Sequence, residues 1–157
     1  MNSIHSPETR LAALGLAVPP APGAVAAYEP WQRVGNVVTT SFQLPWVDGI
    51  LADVGRLGEA LTAEQGYLAA RICALNGIAQ LKAAAGGDLG RVRVVRIEGH
   101  VGCVEGFSQI PQVLNGGSEL INAVFAERGR HARTALGHLV MPLNVPVMLG
   151  FWAEILD

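Results

Sequence analysis

Gly129-Arg130-His131-Ala132-Arg133-Thr134-Ala135-Leu136-Gly137-His138, followed by Met141-Pro142, is the stretch that decides how this chain is read. It sets a fixed cation, Arg133, at the head of an apolar strand running to Met141. Arginine carries a planar fork of N–H donors that matches a carboxylate through two parallel hydrogen bonds. Taken alone, the stretch marks either a small-anion site or an arginine paired with a surface carboxylate. Pro142-Leu143-Asn144 then turns the chain into a last strand, Val145 to Ile155. In that strand Val145, Val147, Leu149, Phe151, Ala153 and Ile155 share one face. Pro146, Met148, Gly150, Trp152 and Glu154 share the other, so Met148 is expected opposite the apolar stripe. By the same alternation His138 is expected on the face opposite Arg133.

Working back toward the N-terminus, Ser118 to Arg128 reads as a helix with Leu120, Ile121, Val124 and Phe125 apolar. Ser108 to Asn115 reads as a loop. Asn115-Gly116-Gly117-Ser118 is either a backbone N–H cradle for an anion or a helix start capped by Ser118, and the cap is preferred. Arg91 to Val104 is a long strand whose alternation shifts phase at Val95, the mark of a bulge. Thr62 and Gln65 form a capping box that opens the strongest helix, about Ala63 to Ala85. Its apolar face is expected to run through Leu68, Ile72, Leu75, Ile78 and Ala79, and Gly86-Gly87 ends it. Asp48 to Gly58 is a glycine-punctuated loop. Val25 to Val34 and Val37 to Gln43 are strands joined at Gly35-Asn36, with Pro30 demoting the first to an edge. Ser6-Pro7-Glu8 starts a short helix that stops at Gly15, and Val18 to Gly23 is a linker. The order strand, strand, helix, strand, helix, strand, strand gives an α+β fold: one mixed sheet with two helices on one face. Residues 1–24 form an N-terminal helix and linker, and 25–157 a single α+β domain.

Composition narrows the function classes. The chain has 157 residues, half of them hydrophobic and 15% charged, more apolar than a small monomer needs. Such an excess commonly ends in a subunit interface. A net charge of −2 and a single lysine, Lys82, argue against a nucleic-acid partner. Cys73 and Cys103 have neither metal nor redox spacing and read as reduced thiols of a cytoplasmic protein, Cys103 as a small buried residue. Met1 to Arg10 lacks the apolar core of a signal peptide. No stretch reaches the roughly 18 apolar residues that span a bilayer, so no membrane partner is expected. The four histidines show no zinc spacing, and no metal or cofactor is expected.

Several segments converge on a family. Tyr28, Gly35-Asn36, Val37-Val38-Thr39-Thr40-Ser41-Phe42-Gln43-Leu44-Pro45, Ala69-Ala70-Arg71, Leu75-Asn76, Ala132-Arg133-Thr134 and Met141-Pro142 occur in that order. In this the chain resembles the RidA/YjgF family, also known as L-PSP endoribonuclease or translation-inhibitor proteins. The similarity runs from about Tyr28 to Glu154, in a longer branch of the family. It implies a chorismate-mutase-like α+β fold and a homotrimer, with sheets lining a central barrel and ligand sites in clefts between subunits. It further implies binding of small carboxylates, imino or keto acids, and hydrolysis of enamines and imines to keto acids and ammonia. Arg133 would hold the substrate carboxylate and is the catalytic candidate; Tyr28 would line the pocket.

Three positions depart from the family pattern. The water-activating glutamate position is Met148, the usual cysteine is Ala135, and a usual glycine is Phe42. With Tyr28 and Arg133 they complete the substrate-binding candidates. A thioether takes no proton from water. Water would then need a backbone carbonyl or His131, which otherwise reads as an ordinary loop histidine. The alternative is a binding or scaffold module of the same fold without turnover. A ribonuclease would need acid–base groups and clustered cations, and the spacing of histidines and lysine offers neither.

Overall fold

In the computed structural model of the chain, residues 5–157 are described. Ser6 caps helix α1 (Pro7–Ala13) by accepting from the Thr9 N–H at 3.1 Å. Leu11 of α1 enters the main core, and Arg10 donates to the Val124 carbonyl. Strands β1 (Trp31–Val34) and β2 (Val37–Thr40) form the hairpin turned at Gly35-Asn36. β1 begins later than Val25, because Pro30 has no N–H to give a ladder and the chain before it is mostly exposed. Beyond Thr40 the chain leaves β2, touching the sheet again where Gln43 and Leu149 exchange backbone bonds of 2.7 and 3.0 Å. The segment expected to be a loop holds a small hairpin, β3 (Trp46–Val47) and β4 (Ile50–Leu51). Asp48 and Gly49 turn it at φ 50° and 77°, the Asp-Gly signal of a tight hairpin.

Helix α2 (Ala63–Ala84) opens with both halves of the Thr62/Gln65 capping box. Its buried face differs from the expected one. Ala69, Ala70, Cys73, Ala74, Gly77, Ile78 and Leu81 face the core, while Leu68 is 51% exposed. The reason is the sheet beneath: a Cβ on Gly77 would stand 2.2 Å from the Phe151 ring, so large strand residues meet small helix residues. Helix α3 (Ile110–Phe125) corrects the reading of Asn115 to Ser118, which lies inside the helix, with Pro near its start in place of a serine cap. The glycines there serve close approach. A Cβ on Gly116 would lie 2.0 Å from the Tyr67 carbonyl oxygen, and one on Gly117 2.6 Å from Leu149.

Strands β5 (Val92–Gly102), β6 (Ala132–His138) and β7 (Val147–Ile155) complete a sheet ordered β1-β2-β7-β5-β6. The β5–β6 pair is parallel and the others antiparallel, with the expected bulge between Val94 and Arg96. Short 3-10 turns at Leu89–Arg91, Ala126–Gly129 and Pro142–Asn144 link the elements. Helices α2 and α3 cover one face, over Val94, Ile97, Val101, Val147, Leu149, Phe151 and Ala153. The register sends Val37, Glu98, His100, Leu136, His138, Met148 and Trp152 to the opposite, open face.

Candidate functional site

Arg133 is the second residue of β6, the edge strand, and pairs with Ile97, so its side chain leaves the sheet on the helix side. It reaches the first turns of α3 rather than the core. Nη1 donates to Asn115 Oδ1 at 2.9 Å and to Ser118 Oγ at 3.2 Å, and Nη2 donates to the Pro111 carbonyl at 3.3 Å. Running α3 through Asn115 and Ser118 is therefore what builds this cradle. Of the five guanidinium N–H donors, Nε–H and one Nη2–H keep no partner among the described residues. No carboxylate of the described residues stands within ion-pair distance of Arg133. Burial without a counter-charge draws its pKa below the ordinary arginine value. A held, partly desolvated cation with two N–H groups free is suited to a carboxylate from outside the chain.

His131 joins the same cradle. Its Nδ1 lies 2.6 Å from the Gly129 carbonyl, which only accepts, so Nδ1 carries the proton. Nε2 then accepts from the Ser118 hydroxyl at 2.9 Å, and the serine oxygen in turn accepts from Arg133. Burial, followed by the Arg133 charge, lowers the His131 pKa against the Gly129 bond that raises it. His131 is thus a neutral positioning group with both nitrogens engaged. Asn115 and Ser118 were not foreseen as partners of Arg133; reading both onto one turn of a longer helix would have found them.

The remaining candidates divide between the two sides of the sheet. Ala135 pairs with Gly99 and sits half-buried beside Arg133 on the helix side, against the core. Met148 lies half-buried on the open face, packed against the small cluster of Leu44, Met141 and Val145. Phe42 covers Gly150 on that same face, since a Cβ on Gly150 would stand 2.9 Å from its ring. Tyr28 is 42% exposed, and with Phe42 it lines a cavity of about 20 Å³, room for about one water. Within one protomer Phe42 and Met148 therefore do not obstruct Arg133, and Tyr28, Phe42 and Met148 do not share a pocket with it. A larger cavity of about 570 Å³ between the Pro19–Gly23 linker, Trp46 and α2 is lined by no cation. The open face also holds a pair that sequence spacing concealed: His100 Nδ1 and His138 Nε2 are 2.6 Å apart. Among the described residues no group of three or more metal-ligating side chains converges, and no helix is long and apolar enough to cross a membrane.

Comparison with known proteins gives this architecture its place. The family described as "YjgF/chorismate mutase-like, putative endoribonuclease" matches residues 8–155. A Shewanella oneidensis protein with the same endoribonuclease designation is 40% identical, with 96% of this chain and 99% of that one covered and a TM-score of 0.92. The protein Atu1372 of Agrobacterium tumefaciens is 38% identical, covering 95% of this chain and 91% of that one, at a TM-score of 0.88. Protein TCP17 of Trypanosoma cruzi is 38% identical over 144 residues, 90% of this chain and 89% of its own. The resemblance read from the Arg133 and Gly35-Asn36 segments thus holds over nearly the whole chain, and the chain belongs to the YjgF/chorismate mutase-like family.

Proposed function

We propose that this protein is a cytoplasmic RidA-like homotrimer that binds small imino and keto acids in clefts between copies and hydrolyses enamines and imines to keto acids and ammonia. The observation that carries this reading is Arg133: a half-buried guanidinium held by three protein acceptors, with no carboxylate of the described residues upon it and two N–H groups left over. Substrate carboxylate takes that free edge bidentately and fixes the imine carbon for attack by water. Tyr28 and Phe42, distant from Arg133 in one protomer, serve the same ligand only from a neighbouring copy, which is the support for a composite cleft. The buried free thiols of Cys73 and Cys103 fit a reducing compartment.

Binding without turnover is favoured by one observation, the thioether of Met148 where a water-activating carboxylate is expected. Ammonia release from freshly generated 2-aminoacrylate, beside calorimetric binding of an unreactive keto acid, separates the two. Turnover that vanishes in Arg133→Ala establishes the hydrolase. Keto-acid binding without turnover, with activity gained in Met148→Glu, leaves a binding protein. Absence of both in the wild-type protein ends the reading altogether.

A further inference from the structure

If water is activated here, two of the expected groups cannot do it. Met148 has no basic atom, and both nitrogens of His131 are engaged. A third set of titratable groups stands on the open face of the sheet. His100 faces Met148 directly across the β5–β7 ladder, and Glu98 faces Gly150. The parallel β5–β6 register brings His138 to the same face, where its Nε2 lies 2.6 Å from His100 Nδ1. His100 Nε2 lies 3.5 Å from Glu98 Oε1. The imidazole centroids are 4.8 Å apart and the rings 26° from parallel. That separation is close to the N···N distance plus the two ring radii, so the rings meet edge to edge, as a hydrogen bond requires. Phe42 stands edge-on to His100 at 4.9 Å and shields the inner ring from water.

Glu98 gives the chain its direction. An ionised carboxylate only accepts, so His100 carries its proton on Nε2 and accepts at Nδ1. His138 must then donate from Nε2, which leaves a lone pair on its Nδ1 with no partner among the described residues. We propose that Glu98, His100 and His138 form a proton relay whose outer end, Nδ1 of His138, is the general base for water in the hydrolytic site. This rests on the reading of Arg133 as the carboxylate clamp. Arg133 and His138 leave opposite faces of β6, so the clamp that serves this base belongs to a second copy. The β6 edge suits such a contact: Leu136, Leu139 and Val140 are all exposed along it.

In the step itself, the water oxygen bonds to the iminium carbon and the C=N π pair moves to nitrogen. The water proton passes to His138 Nδ1, and Glu98 stabilises the charge shared by the two rings. The relay returns that proton to the carbinolamine nitrogen. The C–N bond then breaks as the hydroxyl oxygen forms C=O, releasing ammonia and the last proton. His138 is the catalytic residue; His100 and Glu98 are positioning residues. Arg93, Arg96 and Glu154 are the other charged groups on this face, and Arg96 is bound to Thr134. Burial, opposed by Glu98 and reinforced by His138, lowers the His100 pKa.

The test is steady-state turnover of an imino acid generated in situ, with the whole chain and four variants. His138→Ala and His138→Gln are expected to lower kcat by roughly a hundredfold or more with KM unchanged, and added imidazole restores the alanine variant. Glu98→Gln moves the acid limb of the kcat profile to lower pH, a shift that mere loss of structure would not give. Arg133→Ala loses turnover through lost substrate binding, and mixed His138→Ala and Arg133→Ala subunits regain it through sites with both groups intact. An unchanged kcat in His138→Ala overturns the relay and leaves the Arg133 reading standing. A wild-type protein that binds keto acid but turns nothing over also overturns the relay, while one that does neither overturns both readings.

Discussion

At the scale of single residues, the site consists of groups whose partners are far away in sequence. Arg133 depends on Asn115 and Ser118, and exchanging it for lysine keeps the charge but loses the planar fork. Arg133→Lys is expected to weaken keto-acid binding by about tenfold or more, against retention of near-wild-type affinity if charge alone mattered; calorimetry decides. Phe42 and Gly150 form a second linked pair, in which a bulky residue fills the space a glycine leaves. Gly150→Ala should destabilise the fold by about 1–3 kcal/mol in denaturant melts, and adding Phe42→Ala should recover part of that loss. Acid sensitivity belongs to this scale too. His100 and His131 have folded pKa values lowered from the ordinary value of about 6.5. The unfolded chain therefore binds their protons first as pH falls, so stability is level above that value and declines below it. Melting temperatures between pH 8 and 5 should show this fall, and His131→Asn should flatten it. The arginine was legible because it sits in a recognisable local run. The His100–His138 pair was not, because 38 residues separate partners that only the parallel register of β5 and β6 unites.

At the scale of elements, local signals were legible wherever the cause is local. Thr62 and Gln65 close both halves of a capping box within four residues, so the start of α2 follows from sequence alone. The start of α3 does not, because Gly116 and Gly117 are usually breakers and only the approach of α2 explains them. That difference is measurable. Alanine is a better helix former than glycine by about 1 kcal/mol, so an exposed Gly→Ala change in a helix stabilises it. Gly116→Ala should do the reverse, destabilising by more than about 1 kcal/mol, because the obstacle is the Tyr67 carbonyl and backbone cannot step aside as a side chain can. A stabilised Gly116→Ala protein in chemical melts would show that α3 stands off from α2. The buried face of α2 was misread for the same reason: hydrophobicity points to Leu68, Ile72 and Leu75, but clearance above Phe151 selects alanine and glycine.

At the scale of the whole molecule, the layered α+β order was legible from periodicity, but the completeness of the site was not. One protomer presents Arg133 on the helix side of β6 and Glu98, His100 and His138, with Phe42 and Met148, on the open side. No periodicity in a single chain reports which face of one copy meets which edge of another. Val37, Val95 and Leu136 are 54%, 50% and 46% exposed at separate places on the sheet, and no helix of the described residues covers them. Burying such exposed apolar side chains favours association at about 25 cal/mol per Å² of apolar area, before the losses of ordering two bodies. A carboxylate placed at these positions must be desolvated when two copies meet, which opposes assembly more than it perturbs the folded protomer. Leu136→Glu with Val95→Glu should therefore convert the proposed trimer of 16.5 kDa chains into monomers that keep the wild-type helical circular dichroism. Those monomers should lose turnover with Arg133 and His138 both intact, because neither group can reach a substrate held by the other. Sedimentation velocity reads the first outcome and ammonia release the second. A wild-type protein sedimenting as a monomer would remove the composite cleft, and an active double-variant monomer would show that one protomer supplies clamp and base together.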